Sequence, residues 1–417
     1  MLFVLNAVHL LPPDGPVRAT IPLASSKSES NRALILDALT GFQCDLHNLS
    51  TARDTQTMIR LLKSDDAVAD VLDAGTTMRF LTAYFVVTGQ QKTLTGTPRM
   101  CERPIGMLVD ALRTLGADIE YIRNEGYPPL KINGFSASGT NRVSIRGDVS
   151  SQYISALIMI APSLPDGLTL TLTGDIGSRP YIEMTMAQMR VFGADVTADW
   201  DAKTITVAPG AYQPCTYAVE SDWSGASYWY SVVALAEQGS VIELLGLKEK
   251  SLQGDSAIVD IMRPLGVESS FTDRGVLLTQ KPAETALAWD FTNCPDLAQT
   301  VAACCGALKA DLTLTGIESL KIKETDRVAA LQAELQKIGA ELVEVETNTR
   351  YVVRQLATAP EGTPAIETYD DHRMAMAFAP VAMRQAVVIE EPGVVAKSYP
   401  SFWEDFARIT AVETVVA

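Results

Sequence analysis

The sequence predicts an α/β protein built by repetition, in which six similar units divide between two domains. Two different phrases recur along the chain at intervals of about 75 residues, which indicates a repeated supersecondary unit. A length of 417 residues also exceeds what one ordinary hydrophobic core accommodates. We therefore expect two domains.

The first recurring phrase is a helix end, a glycine and an alternating run that suits a strand. Its copies are LRTLGADIEYI from Leu112, MRVFGADVTAD from Met189, MRPLGVESSFT from Met262 and LQKIGAELVEV from Leu335. We predict that each copy ends a helix at its glycine, namely Gly116, Gly193, Gly266 and Gly339.

The second phrase is a polar start followed by an almost wholly apolar helix. Its copies are SKSESNRALILDAL near Ser28, GTTMRFLTAYFVV at Thr76, SSQYISALIMIAPS at Ser151, SGASYWYSVVALAE at Ser224, DLAQTVAACCGALK at Asp296 and DHRMAMAFAPVAM at Asp371. Helices that are hydrophobic nearly all round lie in domain interiors. The strands between them, such as residues 168–174 and 311–317, are then expected to form sheets around buried helices.

The six units divide three and three at PCTYAVESDW, residues 214–223. We predict an N-terminal domain over residues 14–218 and a C-terminal domain over residues 219–417, with a hinge near residue 219. Residues 1–13 contain a strand that precedes the first complete unit, and we assign them to the C-terminal domain.

The composition, with a formal net charge of −16, argues against several classes of function. A chain of this charge repels polyanions and has no basic stripe, so nucleic acid is not expected as a partner. The sequence has neither a long apolar run that would predict a membrane span nor a secretory signal at its start. Its six cysteines lack CxxC spacing and histidine partners, so we predict no metal site and no disulfide framework. A cytoplasmic protein is expected.

Cations at predicted helix starts are the unusual feature of the sequence. LKIKETDRVAAL, residues 320–331, reads as a helix start in which Lys323 and Arg327 stand beside Glu324. The positive end of the helix dipole disfavours cations, so these residues need an anionic ligand or an ion pair. Lys27 and Arg373 present the same problem, and a helix start is itself suited to anions. We predict a small anionic ligand, which a cleft can attract even in an acidic protein.

Six motifs in order, from about residue 20 to residue 403, together resemble the 5-enolpyruvylshikimate-3-phosphate (EPSP) synthase family. They are SKSESNRAL, DAGTTMRFLTA, PRMCERPIGMLVDAL, DVSSQY, KETDRVAAL with KIGAE, and YDDHRMAMAF. The family's fold has two domains of three βαβαββ units each, with buried helices, an inside-out α/β barrel. Its members bind their substrates in the cleft between the domains and close over them.

The resemblance implies transfer of the carboxyvinyl group of phosphoenolpyruvate to the 5-hydroxyl of shikimate 3-phosphate, with release of phosphate. This is a step of the shikimate pathway, toward chorismate and the aromatic amino acids. The chemistry needs neither a metal nor a redox cofactor. A monomer with two small-molecule substrates is expected.

The resemblance also implies roles for individual residues. The residues expected to contact shikimate 3-phosphate are Lys27, Ser28, Arg32, Ser150, Ser151, Gln152, Ser178, Tyr181, Asp296, Ser319 and Lys323. The residues expected to contact phosphoenolpyruvate are Lys27, Gly75, Thr76, Arg99, Gln152, Arg327, Arg373 and Lys397. Asp296 is expected to orient or deprotonate the 5-hydroxyl, and Glu324, Lys27 and Lys397 are the candidates for general acid and base.

Two alternatives stay open at this point. The related UDP-N-acetylglucosamine 1-carboxyvinyltransferases share the fold and carry a reactive cysteine in the loop that reads CERP here, where Cys101 stands. A non-catalytic anion-binding relative would have lost the acid–base residues, whereas all four are present. The sequence departs from the usual family pattern at Ser25, Asp73, Phe80 and Ser319.

Overall fold

The first two described strands, β1 (Asn6–Leu10) and β2 (Arg18–Ile21), pair with strands from the second half of the chain. The computed structural model, which describes residues 6–358 and 360–416, divides into two units. The N-terminal unit is Lys27–Val219, and the C-terminal unit comprises the described residues up to Ser26 and those from Glu220 onward. Residues 14–26, placed by the sequence in the N-terminal domain, thus belong to the C-terminal unit, because β2 is a strand of one of its sheets.

The N-terminal unit alternates helices and strands along most of its length. Its elements are α1 (Lys27–Leu39), β3 (Asp45–His47), α2 (Arg53–Leu62), β4 (Val68–Asp70), α3 (Gly75–Val87), β5 (Thr93–Thr95), α4 (Gly106–Leu115), β6 (Ala117–Tyr121), β7 (Leu130–Phe135), β8 (Arg142–Arg146), α5 (Ser151–Ile160), β9 (Leu168–Thr173), α6 (Arg179–Val191), β10 (Val196–Asp199), β11 (Thr204–Val207) and β12 (Thr216–Ala218).

Two four-stranded sheets of the N-terminal unit share one strand order. In β4-β5-β7-β6 and β8-β9-β11-β10 the first two strands are parallel and the later neighbours antiparallel. A third, two-stranded sheet pairs β3 with β12 in parallel. The predicted strand at residues 168–174 is β9, in which Leu168, Leu170 and Leu172 are buried between more exposed threonines.

The C-terminal unit repeats the same plan. Its further elements are α7 (Trp223–Leu235), β13 (Val241–Leu245), α8 (Ile258–Met262), β14 (Val267–Phe271), β15 (Gly275–Gln280), β16 (Ala286–Asp290), α9 (Ala298–Leu308), β17 (Asp311–Thr315), α10 (Arg327–Lys337), β18 (Ala340–Glu346), β19 (Arg350–Gln355), β20 (Ala365–Ile366), α11 (His372–Phe378), β21 (Val387–Glu390), α12 (Phe402–Phe406) and β22 (Val412–Val416). Its sheets are β2-β13-β15-β14, β16-β17-β19-β18 and β20-β21-β1-β22.

The apolar helices of the repeats form the centre of each unit. In the N-terminal unit α1, α3 and α5 pack on one another, and in the C-terminal unit α7, α9 and α11 do the same. These helices are buried on nearly every side, as their apolar sequences predict. The predicted α/β class with helices inside the sheets is confirmed, and the sheets formed by the described residues stay separate instead of closing into one barrel.

The four glycines that were predicted to end helices all have left-handed backbones, with φ of 111°, 88°, 88° and 86° in chain order. At Gly116, which caps α4, an added Cβ would also collide with the carbonyl of Ser136. Only glycine combines this conformation with this close approach. Among the helices of the described residues, none has the length and apolarity needed to cross a membrane.

Candidate active site

In the C-terminal unit, the carboxylate of Asp296 lies between two guanidinium groups. Its Oδ1 accepts a hydrogen bond from Nη1 of Arg327 at 3.0 Å, and its Oδ2 accepts one from Nη2 of Arg373 at 2.8 Å. Burial alone would raise the pKa of Asp296, but the charges of Arg373, Lys323 and Arg327 hold it well below its ordinary range. Asp296 is therefore ionised at neutral pH.

The repeat explains why these residues meet. Asp296 lies in the 3-10 helix Pro295–Leu297 directly before α9, Arg327 is the first residue of α10, and Arg373 is the second residue of α11. Both α10 and α11 pack against α9. Three helix starts of the repeat thereby bring their polar side chains to one place.

Arg327 is only 2% exposed and is surrounded by carboxylates. Besides Asp296, its Nε donates to Oδ2 of Asp371 at 2.7 Å and its Nη2 donates to Oε2 of Glu324 at 2.9 Å. Burial would lower the pKa of Arg327, but Asp371, Glu324 and Asp296 together raise it above its ordinary value. For Arg327 the compensating charge comes from ion pairs within the protein, whereas the sequence favoured an anionic ligand.

Asp371 contacts both the backbone of Arg373 and the side chain of Arg327. Its side chain caps α11 by accepting from the backbone N–H of Arg373 at 2.9 Å, and it pairs with Arg327. The cap is the role that its residue type predicts. The Asp371 carboxylate therefore holds the backbone at Arg373 and the side chain of Arg327.

Glu324 lies between two cations. Arg327 is bound to its Oε2, and Nζ of the buried Lys397 lies 3.8 Å from its Oε1. Lys397 is the last residue of the 3-10 helix Pro392–Lys397. A carboxylate and an amine that can exchange a proton are therefore neighbours in this unit.

The predicted helix start at residues 323–327 needs correction. The helix begins at Arg327, because the side chain of Asp326 accepts from the N–H groups of Val328 and Ala329 and caps it there. Lys323 and Glu324 precede the helix, and Lys323 has an extended backbone. They do not share its first turn, so only Arg327 opposes the dipole of α10.

Lys27 opens α1 in the N-terminal unit, as predicted, and its Nζ lies 3.0 Å from Oδ2 of Asp54. The side chain of Asp54 is buried, and that of Lys27 is 15% exposed. Nothing in the sequence marks Asp54 as a site residue. Its position early in α2 is an ordinary place for an acidic residue, and only the packing of α2 against α1 makes it a partner of Lys27.

Arg32 is buried one turn after Ser28. It donates from Nε to Oγ1 of Thr185 at 2.7 Å and from Nη1 to the carbonyl of Ser28 at 2.8 Å. Its Nη2 makes longer contacts, of 3.4 Å to Oγ of Ser155 and 3.5 Å to the carbonyl of Tyr181. Burial lowers the pKa of Arg32 to about 10, so it still carries its charge at neutral pH.

The starts of α3 and α5 meet through side chains. Nε2 of Gln152 donates to Oγ1 of Thr76 at 3.2 Å, while Ser150 caps α5 by accepting from the N–H of Gln152. Ser151 is the first residue of α5. Gly75 begins α3 where a Cβ would lie 2.9 Å from guanidinium nitrogens of Arg79 and Arg103, so the absence of a side chain there lets two arginines approach.

Ser178 does not cap α6 with its side chain, although it precedes that helix and Tyr181 lies in its first turn. Its φ of 52° is left-handed, a conformation that costs energy for serine and that occurs disproportionately at functional sites. The residue type alone predicted a cap here. The left-handed backbone could not be read from the sequence.

Arg99, Ser319 and Lys397 also lie outside the α-helices. Arg99 is exposed, precedes the 3-10 helix Met100–Glu102 and pairs with Glu102 at 3.2 Å. The next α-helix begins only at Gly106, because Arg103 precedes a proline and is extended. Ser319 is half-buried in the 3-10 helix Glu318–Ile322, and Lys397 likewise precedes α12 without belonging to it.

The family model for EPSP synthase (3-phosphoshikimate 1-carboxyvinyltransferase) matches residues 12–64 and 61–406. The chain belongs to the EPSP synthase family. A 3-phosphoshikimate 1-carboxyvinyltransferase of Bacteroides fragilis (strain YCH46) is 48% identical over 96% of this chain and 97% of its own length. One of Escherichia coli (strain SMS-3-5 / SECEC) is 36% identical over 96% of this chain and 98% of its own.

A solved structure of EPSP synthase from Acinetobacter baumannii has the same fold. It aligns with a TM-score of 0.76 at 18% identity, over 98% of this chain and all of that one. The two-domain α/β fold that the resemblance to the EPSP synthase family implied is therefore confirmed.

The structure adds three residues to the set that the EPSP synthase motifs pointed to in the C-terminal unit. Oγ of Ser224 donates to Oδ2 of Asp255, and Arg373 donates to Ser224 and to the hydroxyl of Tyr228, each at 3.4 Å. Burial and the charge of Asp296 raise the pKa of Asp255 to about 6. Ser224 could have been found, because in the repeat it occupies the position that Asp296 occupies in the next unit. No comparable signal marks Asp255.

Proposed function

We propose that the chain is a 3-phosphoshikimate 1-carboxyvinyltransferase, which joins the carboxyvinyl group of phosphoenolpyruvate to the 5-hydroxyl of shikimate 3-phosphate and releases phosphate. Membership of the family and the full-length similarity to relatives of that name support this. The proposal also assigns the chain to the shikimate pathway. It is expected to act as a monomer in the cytoplasm. Light scattering of the purified protein tests the oligomeric state.

The observation that carries the proposal is the Asp296 carboxylate, kept ionised between Arg327 and Arg373. Because its pKa is so low, the Asp296 carboxylate is a weak general base at neutral pH. We therefore assign Asp296 to accept a hydrogen bond from the 5-hydroxyl and orient its oxygen toward the second carbon of phosphoenolpyruvate.

The reaction requires three proton transfers, two in the addition step and one in the elimination step. The hydroxyl loses its proton as its oxygen bonds to carbon 2 of phosphoenolpyruvate, and the methylene carbon gains a proton to become a methyl group. The tetrahedral intermediate then expels phosphate while the methyl group loses a proton. Glu324 and Lys397, whose charged atoms are 3.8 Å apart, are suited to give and recover the proton at that carbon. Lys27 is the remaining acid–base candidate and is proposed to accept the proton that the 5-hydroxyl loses.

The anionic groups of the substrates match the cations of both units. Arg327, Arg373, Arg99, Lys27 and Lys397 are proposed to bind phosphoenolpyruvate, beside Gly75, Thr76 and Gln152. Lys323, Ser150, Ser151, Ser178 and Ser319 are proposed to bind the 3-phosphate, and Tyr181 to line that pocket. Arg32 and Ser28 are proposed to bind the shikimate carboxylate through charge-assisted hydrogen bonds.

This assignment gives shikimate 3-phosphate ligands on both units, so we propose that the units act as domains that close on this substrate. Closure would exclude water and complete the site. Solution scattering with and without shikimate 3-phosphate tests this step. A radius of gyration that does not change on saturation would contradict closure without contradicting the reaction.

The reaction itself is tested by phosphate release with both substrates, with each substrate alone, and with UDP-N-acetylglucosamine in place of shikimate 3-phosphate. We expect phosphate only with phosphoenolpyruvate and shikimate 3-phosphate together, and a product with the mass of the enolpyruvyl ether. Asp296→Asn should fold and lose most activity, whereas Asp311→Asn, an exposed carboxylate on β17, should not. Turnover with the UDP-sugar, or none with either acceptor, would overturn the proposal.

A further inference from the structure

Two cysteines that are distant in sequence are neighbours in the N-terminal unit. The Sγ atoms of Cys44 and Cys215 lie 3.9 Å apart. Each residue directly precedes a strand of the parallel pair, Cys44 before β3 and Cys215 before β12. The register pairs Thr216 with Asp45, so extending it by one residue places the two cysteines opposite each other.

This placement satisfies the backbone geometry of a disulfide. Neighbouring strands lie about 4.8 Å apart, which falls within the Cα separation of roughly 4.4–6.8 Å that disulfides span. A backbone hydrogen bond from Asp45 N to the carbonyl of Cys215, at 2.9 Å, holds the two segments together. The sulfur atoms can therefore meet by side-chain rotation, with no strand displaced.

The two sulfur atoms have different surroundings. The thiol of Cys215 donates toward Sγ of Cys44, and burial, followed by the proximity of Cys44, raises the pKa of Cys215 to about 11. Cys215 therefore keeps its proton at neutral pH, so Cys44 is assigned as the sulfur that reacts first. Both residues are partly exposed, so a small oxidant can reach them.

We propose that Cys44 and Cys215 are an oxidisable pair that a hydroperoxide converts to a disulfide. The Cys44 thiolate attacks one oxygen of hydrogen peroxide and becomes a sulfenic acid, with water formed from the other oxygen. The Cys215 sulfur then attacks that sulfenic sulfur, the S–S bond forms, and a second water leaves. Two thiols and one peroxide thus yield one disulfide and two waters.

The disulfide would join the last strand of the N-terminal unit, β12, to its first, β3. The end of the unit is otherwise held by hydrogen bonds, from Val219 N to the carbonyl of His47 at 3.0 Å and from the hydroxyl of Tyr217 to Oε1 of Glu29 at 2.6 Å. A cross-link that closes so long a loop restricts the unfolded chain and stabilises the unit. Oxidation is therefore expected to raise the thermal midpoint of unfolding by several degrees.

The test is treatment of the purified full-length protein with hydrogen peroxide, alkylation of the remaining thiols and peptide mass mapping. We expect one peptide pair cross-linked through Cys44 and Cys215, reversed by dithiothreitol, and alkylation of the other cysteines. Cys44→Ser and Cys215→Ser should each abolish the cross-link and the rise in the thermal midpoint. Cys101→Ser is the matched control and should retain both.

Three outcomes would overturn the proposal: sulfinic acid at Cys44 without a cross-link, a disulfide between molecules, or a pairing with another cysteine. The mapping uses the parent protein, so it decides the matter even if a serine variant folds poorly. None of these measurements depends on the proposed enzymatic activity.

Discussion

Nε of Arg327 lies 2.7 Å from Oδ2 of Asp371, and both side chains are almost fully removed from water. A buried guanidinium requires compensation, because a charge left without its partner in the interior is strongly destabilising. Asp371 supplies that compensation and also caps α11. Its two roles can be separated experimentally, because asparagine caps a helix as well as aspartate but carries no charge.

Asp371→Asn should therefore keep the cap and lose the ion pair, with a decrease in the free energy of unfolding of roughly 1.5–3 kcal/mol, the value of a hydrogen bond to a charged group. Urea unfolding measures it. Asp326→Asn is the matched control, since Asp326 caps α10 in the same way and is exposed. An equal decrease in the free energy of unfolding in the two variants would show that the charge of Asp371 does not stabilise the buried Arg327.

Glu324→Gln should fold and bind shikimate 3-phosphate but turn over roughly 10²–10⁴-fold more slowly, the usual effect of losing a general acid. Glutamine keeps the shape and can still contact Arg327 and Lys397, so binding should change little. Steady-state kinetics give kcat and KM for each substrate. Glu318→Gln, an exposed position shortly before it, is the control. A turnover within a few-fold of the parent would transfer the acid–base role to Lys27 or Lys397.

Arg99→Ala and Arg373→Ala should both raise the KM for phosphoenolpyruvate, because each removes a charge-assisted contact worth roughly 1.5–3 kcal/mol. Their stabilities should differ. Arg373 is buried against Asp296, whereas Arg99 is exposed, so only Arg373→Ala should also lower the unfolding midpoint. Arg123→Ala, at another exposed position of the N-terminal unit, should leave both quantities unchanged. An unaltered KM in both variants would remove these arginines from the phosphoenolpyruvate site.

Asp255 should make stability depend on pH. Burial first, and then the charge of Asp296, raise its pKa from 3.8 to about 6, against the opposing charge of Arg373. Between those values the native state holds a proton that the unfolded chain has released. The stability contributed by this group is therefore present below pH 3.8 and is lost as the pH rises through about 6.

Asp255→Asn cannot titrate, so the parent should lose stability relative to this variant as the pH rises through that window, by up to about 3 kcal/mol. Unfolding midpoints of the two proteins at several pH values between about 4.5 and 7 measure the difference. Asp260→Asn, an exposed carboxylate on α8, should show no such trend. If the stability difference between parent and variant stays constant with pH, or changes in the opposite direction, the pKa of Asp255 is not raised.

The repeated helices and strands could be predicted because their hydrophobic patterns differ. The almost wholly apolar helix of residues 75–87 lies at the centre of its unit, and the alternating residues 168–173 form a half-buried strand. The left-handed glycines could also be predicted from the sequence, because glycine adopts that conformation without steric cost.

Polar pairings were less accessible from the sequence, because they depend on which elements pack together. Asp255 meets Ser224, and Asp54 meets Lys27, only after the helices have assembled. The start of α10 was misplaced because the prediction put Lys323 and Glu324 in its first turn, whereas the side chain of Asp326 caps the helix at Arg327. The pair Cys44 and Cys215 was hidden by its separation along the chain.

The strands β1 and β2 set an order for folding during synthesis. Both leave the ribosome early, yet β1 pairs with β21 and β22, and β2 pairs with β13. The N-terminal unit is one continuous stretch of chain and can complete itself while synthesis continues, because domains generally fold as units in the order in which they emerge. The backbone groups of β1 and β2 stay unpaired until their partner strands, which follow the N-terminal unit in the sequence, have been synthesised. A nascent chain stalled within α11 would therefore expose β1 as an open edge, which is where chaperones should bind and where premature aggregation should begin.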